Sequence, residues 1–295
     1  MRINPFNEIY RSKEYSEVDE PSDFPMIVDI ELTNDCNLKC KMCSRQIMTR
    51  DIGYMSKELF KKIVDECAEH NTAIRLIRWG EPFLHPHILE FCKYVKDKGL
   101  PLHITTNGMV LSESQMIGII LCKVDSIIFS MQGVTPDGYE HMRKGAIYDL
   151  LYTNIMKLLE LRRTRDKPFI HISTTVTDET DKEINAFKDA WKDVVDSVGI
   201  GKTRFSYLGK EDNIKKEYRD CKEPWQKLSV DWDGKVSACC NDYDNLLTIG
   251  DINERSLFNL WNYNDQLDGI RAILNNMNHR CLTLCSKCFH TYTEF

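Results

Sequence analysis

Seven of the twelve cysteines lie in two groups whose spacing suits metal chemistry. The first group is a CxxxCxxC motif of Cys36, Cys40 and Cys43. Three thiolates this close can bind three irons of a 4Fe–4S cluster, which leaves the fourth iron open to a small molecule. Zinc is the alternative, but no fourth Cys or His lies nearby to complete a tetrahedral site. The motif therefore favours an iron–sulfur cluster with one open position.

The second group is spread over the C-terminal part of the chain and ends in a CxxC motif. Cys221 is followed by 17 residues and then Cys239, and 45 further residues lead to Cys285 and on to Cys288. Four thiolates would bind all four irons of a cluster and exclude substrate from it, so electron transfer is the expected role. Structural zinc is the alternative.

Two further cysteines could replace members of the second group. Cys239 is preferred over Cys240 because it stands five residues after Gly234, at a fixed place on a predicted hairpin arm. The CxxC motif is preferred over a set that contains Cys281, although Cys281 would repeat the spacing of the first motif. Cys281 is then left without a role, and Cys240 is available for another one.

The first motif must be positioned by an alternating series of strands and helices. Apolar alternation predicts strands over residues 26–33, 73–79, 102–106, 124–130, 169–176 and 203–208. Amphipathic periodicity predicts helices over residues 56–70, 86–98, 112–122, 148–163 and 182–195. Strands that alternate with helices predict right-handed βαβ units and one parallel sheet. Functional groups of such sheets gather at the carboxyl ends of the strands, where the first motif lies.

This predicted core spans residues 25–208. The segments on either side of it differ from it in character. Residues 1–24 show little periodicity and are expected to form an extension or a strap over the surface. Residues 209–220 are highly charged and are expected to form a linker. Residues 221–295 predict a hairpin that turns at Asp233–Gly234, followed by two short helices. A hydrophobic core this small needs an additional cross-link to be stable, and the second group of cysteines can supply it.

The composition is that of a globular protein and limits its partners. The chain has 295 residues, of which 42% are hydrophobic and 28% charged, with a formal net charge of −6. This charge argues against nucleic acid or an anionic membrane as the main partner. No apolar run approaches the ~20 residues that span a bilayer, and the polar N-terminus lacks the apolar core of a signal peptide. We therefore expect a cytoplasmic protein.

The CxxxCxxC motif after the first strand resembles that of the radical S-adenosylmethionine (SAM) enzymes, and the resemblance extends over residues 26–208. Successive strands end in segments similar to those of that family: WGEP at 79–82, TTNG at 105–108, SMQG at 130–133, and YEHMRKG at 139–145 beyond them. The resemblance implies SAM contacts from nine residues: Met42, Gly80, Glu81, Asn107, Ser130, Gln132, Arg143, Ser173 and Thr175. Arg143 is expected to pair with the SAM carboxylate. Trp79 stands where the family has glycine.

The resemblance also implies the reaction and its cofactors. The amino and carboxylate groups of SAM would chelate the open iron, and an electron from the reduced cluster would break the S–C5′ bond. The resulting 5′-deoxyadenosyl radical would remove hydrogen from an unactivated C–H bond. The cofactors carry this chemistry, while the protein orients them and excludes water. A flavodoxin- or ferredoxin-type protein is the expected electron donor.

The C-terminal region resembles the SPASM/twitch domains that follow the core of many radical SAM enzymes. The similar segments are CKEPW, DGKVSACC, IGDIN, LFNLWN and the CxxC, within residues 221–288. The resemblance implies an auxiliary 4Fe–4S cluster on Cys221, Cys239, Cys285 and Cys288. It also implies the fold class, an α/β protein with a partial (β/α)6 parallel barrel and a small C-terminal α+β iron–sulfur domain.

The spacing of the second group looks like that of the radical SAM aminocyclitol dehydrogenases. Peptide maturases of this family often carry an N-terminal leader-binding module, whereas only 25 residues precede the first predicted strand here. We therefore expect a small polyhydroxylated substrate, a sugar or aminocyclitol. An alcohol of this substrate would be oxidised with the auxiliary cluster as electron acceptor.

Three alternatives stay open at this point. A carbohydrate epimerase would need a hydrogen donor, for which Cys240 is the candidate because it adjoins the auxiliary cluster. A peptide-modifying SPASM maturase would act on a larger substrate, and a protein without catalysis would be an iron–sulfur or zinc-binding module. Candidate substrate contacts are polar residues near strand ends or the second cluster: Arg45, Tyr54, His85, His103, Gln132, Tyr207 and Asp242.

Overall fold

One open sheet organises the protein, whose computed structural model describes residues 2–18, 20–133, 135–176, 180–202 and 221–288. Its strands are β1 (Ile27–Ile30), β2 (Ala73–Leu76), β3 (Leu102–Thr106), β4 (Ser126–Met131), β5 (Phe169–Val176), β6 (Ser197–Lys202), β7 (Lys227–Val230), β8 (Lys235–Ser237) and β9 (Thr248–Asp251). Their order is β6–β5–β4–β3–β2–β1–β7–β8–β9. All pairs from β6 to β7 are parallel, and the last two are antiparallel. The predicted partial barrel with a parallel core is therefore confirmed.

The described residues form eleven α-helices. They are α1 (Pro5–Arg11), α2 (Lys13–Ser16), α3 (Lys57–Glu69), α4 (Ile88–Asp97), α5 (Glu113–Leu121), α6 (Pro136–Met142), α7 (Tyr148–Arg162), α8 (Asp181–Trp191), α9 (Glu223–Gln226), α10 (Leu257–Asn262) and α11 (Asp265–Asn275). The five helices predicted for the core, α3, α4, α5, α7 and α8, are confirmed to within four residues at their ends. Among the residues that the structure describes, no helix is both long and apolar enough to cross a membrane.

Helix α3 illustrates why these predictions succeed. The Ser56 side chain caps the helix by accepting a hydrogen bond from the Leu59 N–H. Leu59, Ile63 and Cys67 recur at helical spacing and are buried against the sheet. Both signals lie within a few residues of each other in the chain, so they can be recognised without knowledge of the tertiary structure.

The sixth strand lies earlier in the chain than predicted. β6 is Ser197–Lys202 and pairs in parallel with β5, whereas the sequence predicted a strand over 203–208. The predicted strand and the predicted linker over 209–220 both lie outside the described residues. Gly199 and Gly201 weaken the apolar pattern of β6, so the sequence does not predict a strand there. The segment is a strand because it pairs with β5.

The segment before β1, predicted to be an extension or a strap over the surface, contains two short helices. Phe6 of α1 is buried against Ile27 and Ala73, at the amino ends of β1 and β2. The Tyr10 hydroxyl accepts a hydrogen bond from Arg75 Nη1 at 2.9 Å. These contacts place α1 at the end of the barrel opposite the first cysteine motif. Neither helix is long enough for its periodicity to be recognised in the sequence.

The C-terminal region continues the same sheet. β7 pairs in parallel with β1, with Ile27 opposite Lys227. The predicted hairpin is confirmed, since β7 and β8 pair on either side of Asp233 and Gly234, and Gly234 has the positive φ of +99° that its turn requires. β9 extends the hairpin and was not predicted.

The inner face of the sheet is polar. Asp29 alternates along β1 with Val28 and Ile30, which are buried in the hydrophobic core. Arg75 lies in register beside Asp29 and binds its carboxylate through two nitrogens, at 2.5 and 2.6 Å. His103 follows in register on β3. Burial of these charges is tolerated because they are paired.

Candidate metal centres

The first cysteine motif occupies the loop that follows β1. Its backbone is held by hydrogen bonds from Lys39 N–H to the Lys144 carbonyl and from Lys41 N–H to the Met142 carbonyl, both at 2.8 Å. A cavity of about 360 Å³ opens there. All three cysteines of the motif line it, together with four neighbours: Leu38, Lys39, Arg45 and Gln46.

The three thiols and the cavity that they line fit an iron–sulfur cluster. Burial raises the pKa of Cys36 to about 11 and also raises the pKa values of Cys40 and Cys43, so a metal centre would have to displace their protons. A 4Fe–4S cluster, whose irons and sulfides separate the thiolates, suits a cavity of this size with three cysteines in its lining.

Two buried polar atoms beside Cys40 have no hydrogen-bond partner among the residues that the structure describes. They are Arg143 Nε and the Tyr139 hydroxyl. The Arg143 guanidinium hydrogen-bonds Cys40, and its Nη2 donates to the Met131 carbonyl at 3.2 Å. Unpartnered donors of this kind suit an anionic ligand such as a carboxylate. Sequence reasoning missed Tyr139, although it stands one helical turn before Arg143.

The end of β2 packs directly against the first cysteine loop. A Cβ on Gly80 would lie 1.9 Å from the Thr33 carbonyl oxygen, so only glycine fits. The neighbouring Glu81 N–H donates to the Asp35 carbonyl at 2.8 Å. Gly80 therefore acts through backbone packing at this position.

The Glu81 carboxylate joins the ends of β2 and β3. It accepts hydrogen bonds from Thr106 Oγ1 and from the Asn107 N–H, each at 2.7 Å. Burial raises the pKa of Glu81 to about 7, while these hydrogen bonds act in the opposite direction. Asn107 in turn donates from Nδ2 to Cys36 Sγ at 3.7 Å and to Asn37 Oδ1 at 2.9 Å. The two strand ends are thus tied to the first motif.

The remaining predicted SAM contacts lie on β4, on β5 and in the cysteine loop. Ser130 and Ser173 are direct register partners. The Gln132 amide donates to the Thr175 carbonyl, and Thr175 Oγ1 donates to Gln132 Oε1 at 3.2 Å. Met42 is half-buried in the cysteine loop. The fold thus brings the predicted set to one end of the barrel.

The second group of cysteines also comes together. Cys221 lies within electrostatic range of Cys285 and Cys288, and Cys239 lies within range of Cys221. Burial raises the pKa of Cys285 to about 12 and also raises the pKa of Cys221. Cys281 is exposed, whereas the two CxxC cysteines are buried. This arrangement fits the preferred set of four ligands.

Cys240 is half-buried and lies toward the polar inner face of the barrel. Its side chain hydrogen-bonds Cys239 and is within electrostatic range of Glu223, Lys227 and Asp29. The thiol therefore adjoins both the second cysteine group and the inner face.

Several candidate substrate contacts are engaged within the protein instead. Tyr54 donates to Asp35 Oδ2 at 2.9 Å, and Arg45 donates to Asp35 Oδ1 at 3.2 Å. His85 Nε2 lies 3.0 Å from the carbonyl oxygen of Met55, consistent with a role in shaping its loop.

Two more candidates have internal partners, and one lies outside the described residues. His103 Nδ1 is 2.6 Å from Ser126 Oγ. The Asp242 carboxylate accepts hydrogen bonds from Ser237 Oγ at 2.9 Å and from the Leu247 N–H at 2.7 Å. The candidate outside the described residues is Tyr207. These contacts fix the orientation of the His103 ring and of the Asp242 carboxylate.

Comparison with known sequences yields matches over both regions. Residues 30–190 match the Radical SAM superfamily, and residues 221–289 match the SPASM iron–sulfur cluster-binding domain. The tungsten-containing aldehyde ferredoxin oxidoreductase cofactor-modifying protein of Pyrococcus furiosus is 33% identical over 161 residues, which are 52% of this chain and 45% of that protein. The chain thus spans less than half the length of this curated relative.

Solved structures share the fold over most of the chain. BtrN in complex with AdoMet and 2-DOIA aligns with a TM-score of 0.64 and 18% identity, over 92% of this chain and 96% of that one. Streptococcus suis SuiB bound to precursor peptide SuiA aligns with a TM-score of 0.68 and 14% identity, over 92% of this chain and 72% of that one. At these identities the similarity concerns the fold.

Proposed function

This chain belongs to the radical SAM superfamily, and from that premise we propose that it oxidises an alcohol of a small polyhydroxylated substrate such as a sugar or an aminocyclitol. Its cofactors are SAM, a SAM-binding 4Fe–4S cluster and an auxiliary iron–sulfur cluster in the SPASM domain. When bound, they supply the 5′-deoxyadenosyl radical that removes hydrogen from a C–H bond, and an acceptor for the remaining electron.

The residues of the first site bind and orient these groups. Cys36, Cys40 and Cys43 hold the first cluster, since they line one cavity. Arg143 and Tyr139 bind the SAM carboxylate with their unpartnered buried donors. The other proposed SAM contacts are Met42, Gly80, Glu81, Asn107, Ser130, Gln132, Ser173 and Thr175.

The residues of the second site hold the auxiliary cluster away from solvent. We assign Cys221, Cys239, Cys285 and Cys288 to it, and the proximity of Cys221 to the other three, which lie in two further segments of the chain, supports this assignment. Residues 25–208 would then form the catalytic domain, residues 209–220 the linker and residues 221–295 the auxiliary-cluster domain.

The pairing of acidic with basic side chains on the inner face is the observation that supports the choice of substrate class. Four acidic side chains there are each paired with a basic one: Asp29–Arg75 at 2.5 Å, Glu31–Arg50 at 2.8 Å, Asp231–Arg78 at 2.7 Å and Glu223–Lys227 at 2.8 Å. Burial lowers the pKa of His103 to about 3 and that of His171 to about 4, so both are neutral at neutral pH. A face with paired charges and neutral polar groups suits a substrate recognised through its hydroxyl groups.

Product mass is the measurement that tests this proposal. The anaerobically reconstituted protein, given SAM, dithionite and a panel of sugars and aminocyclitols, is expected to form 5′-deoxyadenosine and a product lighter by two hydrogens. An epimerase would instead return a product of unchanged mass that carries deuterium from D₂O. Turnover of peptides with none of the polyols would overturn the proposed substrate class, and the precursor peptide bound to SuiB makes this the main rival.

Epimerisation is the second candidate, and the position of Cys240 favours it. A thiol between the auxiliary site and the inner face could return a hydrogen atom to a carbon radical. Under this alternative, Cys240→Ala abolishes formation of the epimer while 5′-deoxyadenosine still appears. Cys281→Ala is the matched control, because Cys281 is exposed, whereas Cys240 is half-buried. Epimer formation by the Cys240 variant would exclude the thiol as donor.

The surface around the first motif is basic, although the net charge of the chain is −6. Lys39 and Lys144 are exposed and adjacent, since the N–H of one donates to the carbonyl of the other at 2.8 Å. Lys41 lies beside them and contacts His141, with Nζ 2.6 Å from Nε2. We propose that an acidic flavodoxin- or ferredoxin-type donor docks here, because opposite charges steer electron-transfer partners together.

Charge reversal tests this docking surface. The double variant Lys41→Glu, Lys144→Glu is expected to slow SAM cleavage with a flavodoxin donor about tenfold at low salt. Cleavage with dithionite, which needs no docking surface, reports whether the site itself is intact. Lys93→Glu on α4 is the control for a charge change elsewhere on the surface. Equal loss with both reductants would locate the defect in the cluster site instead.

A further inference from the structure

We propose that Arg78 and Trp79 are positioning residues that hold the auxiliary loop, residues 239–247, against the end of β2. The inference rests on the proposed function, because the auxiliary loop carries Cys239 and the neighbouring Gly80 packs on the first cysteine loop. Its consequence is that one loop sets the spacing between the two cluster sites.

Two donors from the end of β2 converge on one carbonyl of the auxiliary loop. Trp79 Nε1 donates to the Asp242 carbonyl at 3.0 Å, and Arg78 Nη2 donates to the same oxygen at 2.7 Å. Arg78 Nη1 also reaches the Cys239 carbonyl at 3.4 Å. The Trp79 ring packs edge-on against Tyr243, with centroids 6.2 Å apart. The loop is thus held both by hydrogen bonds and by an aromatic contact.

Arg78 adopts a backbone conformation that its surroundings must enforce. Its φ is +127°, in a region that side-chain-bearing residues rarely adopt, and its side chain is 1% exposed. Asp231 Oδ1 lies 2.7 Å from Nη2 and compensates the buried charge. Strained conformations persist at functional sites where several contacts over-determine them. The contacts that hold Arg78 in this conformation are the ion pair with Asp231 and the hydrogen bonds to the Cys239 and Asp242 carbonyls.

A second set of contacts holds the auxiliary loop from the opposite side. Asp244 Oδ1 accepts hydrogen bonds from the Thr49 N–H at 2.7 Å and from the Arg50 N–H at 3.2 Å. Asp244 Oδ2 accepts from Thr49 Oγ1 at 2.9 Å, and Arg50 Nε donates to the Tyr243 carbonyl at 3.0 Å. Thr49 follows Cys43 by six residues, so this side of the clamp belongs to the segment that leaves the first motif.

The indole of Trp79 supplies a hydrogen-bond donor that reaches the auxiliary loop, which a smaller side chain at this position could not do. The radical SAM enzymes that this sequence resembles have glycine at this position. Glycine carries no side-chain donor, so it could not form a hydrogen bond with the Asp242 carbonyl. Trp79 directly precedes Gly80, and the close packing of Gly80 fixes this part of the backbone on the cysteine loop. The indole therefore links the first cysteine loop to the auxiliary loop and holds the two in a fixed relative position.

Replacement of the indole by a phenyl ring, which removes the N–H donor together with the five-membered ring, tests the clamp. Trp79→Phe keeps an aromatic ring, and Trp261→Phe is its matched control, because Trp261 Nε1 donates to the Ser22 carbonyl at 2.6 Å, outside the auxiliary loop. Amide hydrogen exchange of residues 239–247 is followed in the reconstituted holoenzyme. It is expected to be about fivefold faster in Trp79→Phe, as for loss of one neutral hydrogen bond, and unchanged in Trp261→Phe.

The auxiliary cluster itself provides the second readout. Its midpoint potential is measured in a background where Cys36, Cys40 and Cys43 are alanine, so that all iron belongs to the second site. Trp79→Phe is expected to move this potential to a less negative value, because water admitted by the loosened loop stabilises the more highly charged reduced cluster.

The outcomes separate failure of the clamp from failure of the proposed function. If the triple-alanine background holds no iron, the auxiliary-cluster assignment is wrong. If it holds iron but Trp79→Phe behaves like Trp261→Phe in both readouts, the clamp is wrong. Should Trp79→Phe not fold, Asp244→Asn weakens the opposite side of the clamp and must show the same two changes for the inference to stand.

Discussion

Alanine at Cys36, Cys40 and Cys43 together is expected to abolish reductive SAM cleavage and to halve the bound iron, from about eight to about four atoms per chain. The reason is that these thiols line the cavity of the first site, whereas the second site has four cysteines of its own. Iron and sulfide analysis, with chromatography of 5′-deoxyadenosine after reduction by dithionite, measures both effects.

Cys281→Ala provides the control for loss of a cysteine, since Cys281 is exposed and belongs to neither proposed ligand set. It should retain all iron and all SAM cleavage. Persistent 5′-deoxyadenosine in the triple variant would contradict the assignment of the first site. Colourless anaerobic protein that contains zinc would contradict both cluster assignments.

Asp29→Asn is expected to lower the free energy of unfolding by about 3–5 kcal/mol, because it leaves the Arg75 guanidinium buried without its counter-charge. Asp29 is fully buried, and its two carboxylate oxygens lie 2.5 and 2.6 Å from Arg75 nitrogens. Urea denaturation of the apo-protein measures the loss. Asp97→Asn is the control: its partner Lys93 is exposed, and such pairs contribute under about 1 kcal/mol.

The same pair makes a prediction about pH. Burial alone would raise the pKa of Asp29, but the Arg75 guanidinium outweighs it and holds this pKa below its usual range. A carboxylate of this kind stabilises the fold above its unfolded pKa of about 3.9, and that contribution is lost as the pH falls through the lower, folded value. Wild-type stability should therefore fall more steeply than that of Asp29→Asn below about pH 4. Parallel curves would show that the pair contributes little.

Local patterns in the sequence determined the alternating core and the motifs. Helix α3 is capped and amphipathic within its own residues, and the first cysteine motif is complete within eight residues of the chain. The hairpin at Asp233–Gly234 is likewise a local turn signal. Such features are recognisable because the residues that interact are also neighbours in sequence.

Only the tertiary structure decided the contacts between distant segments. The pairing of β7 with β1, the placement of Phe6 at the far end of the barrel, and the use of Trp79 to hold the Asp242 carbonyl join residues more than twenty positions apart. Periodicity carries no information about such partners, because they are selected by burial and hydrogen bonding across the whole fold. For the same reason Tyr139 was not among the predicted SAM contacts, and the contact between His103 Nδ1 and Ser126 Oγ at 2.6 Å was not predicted.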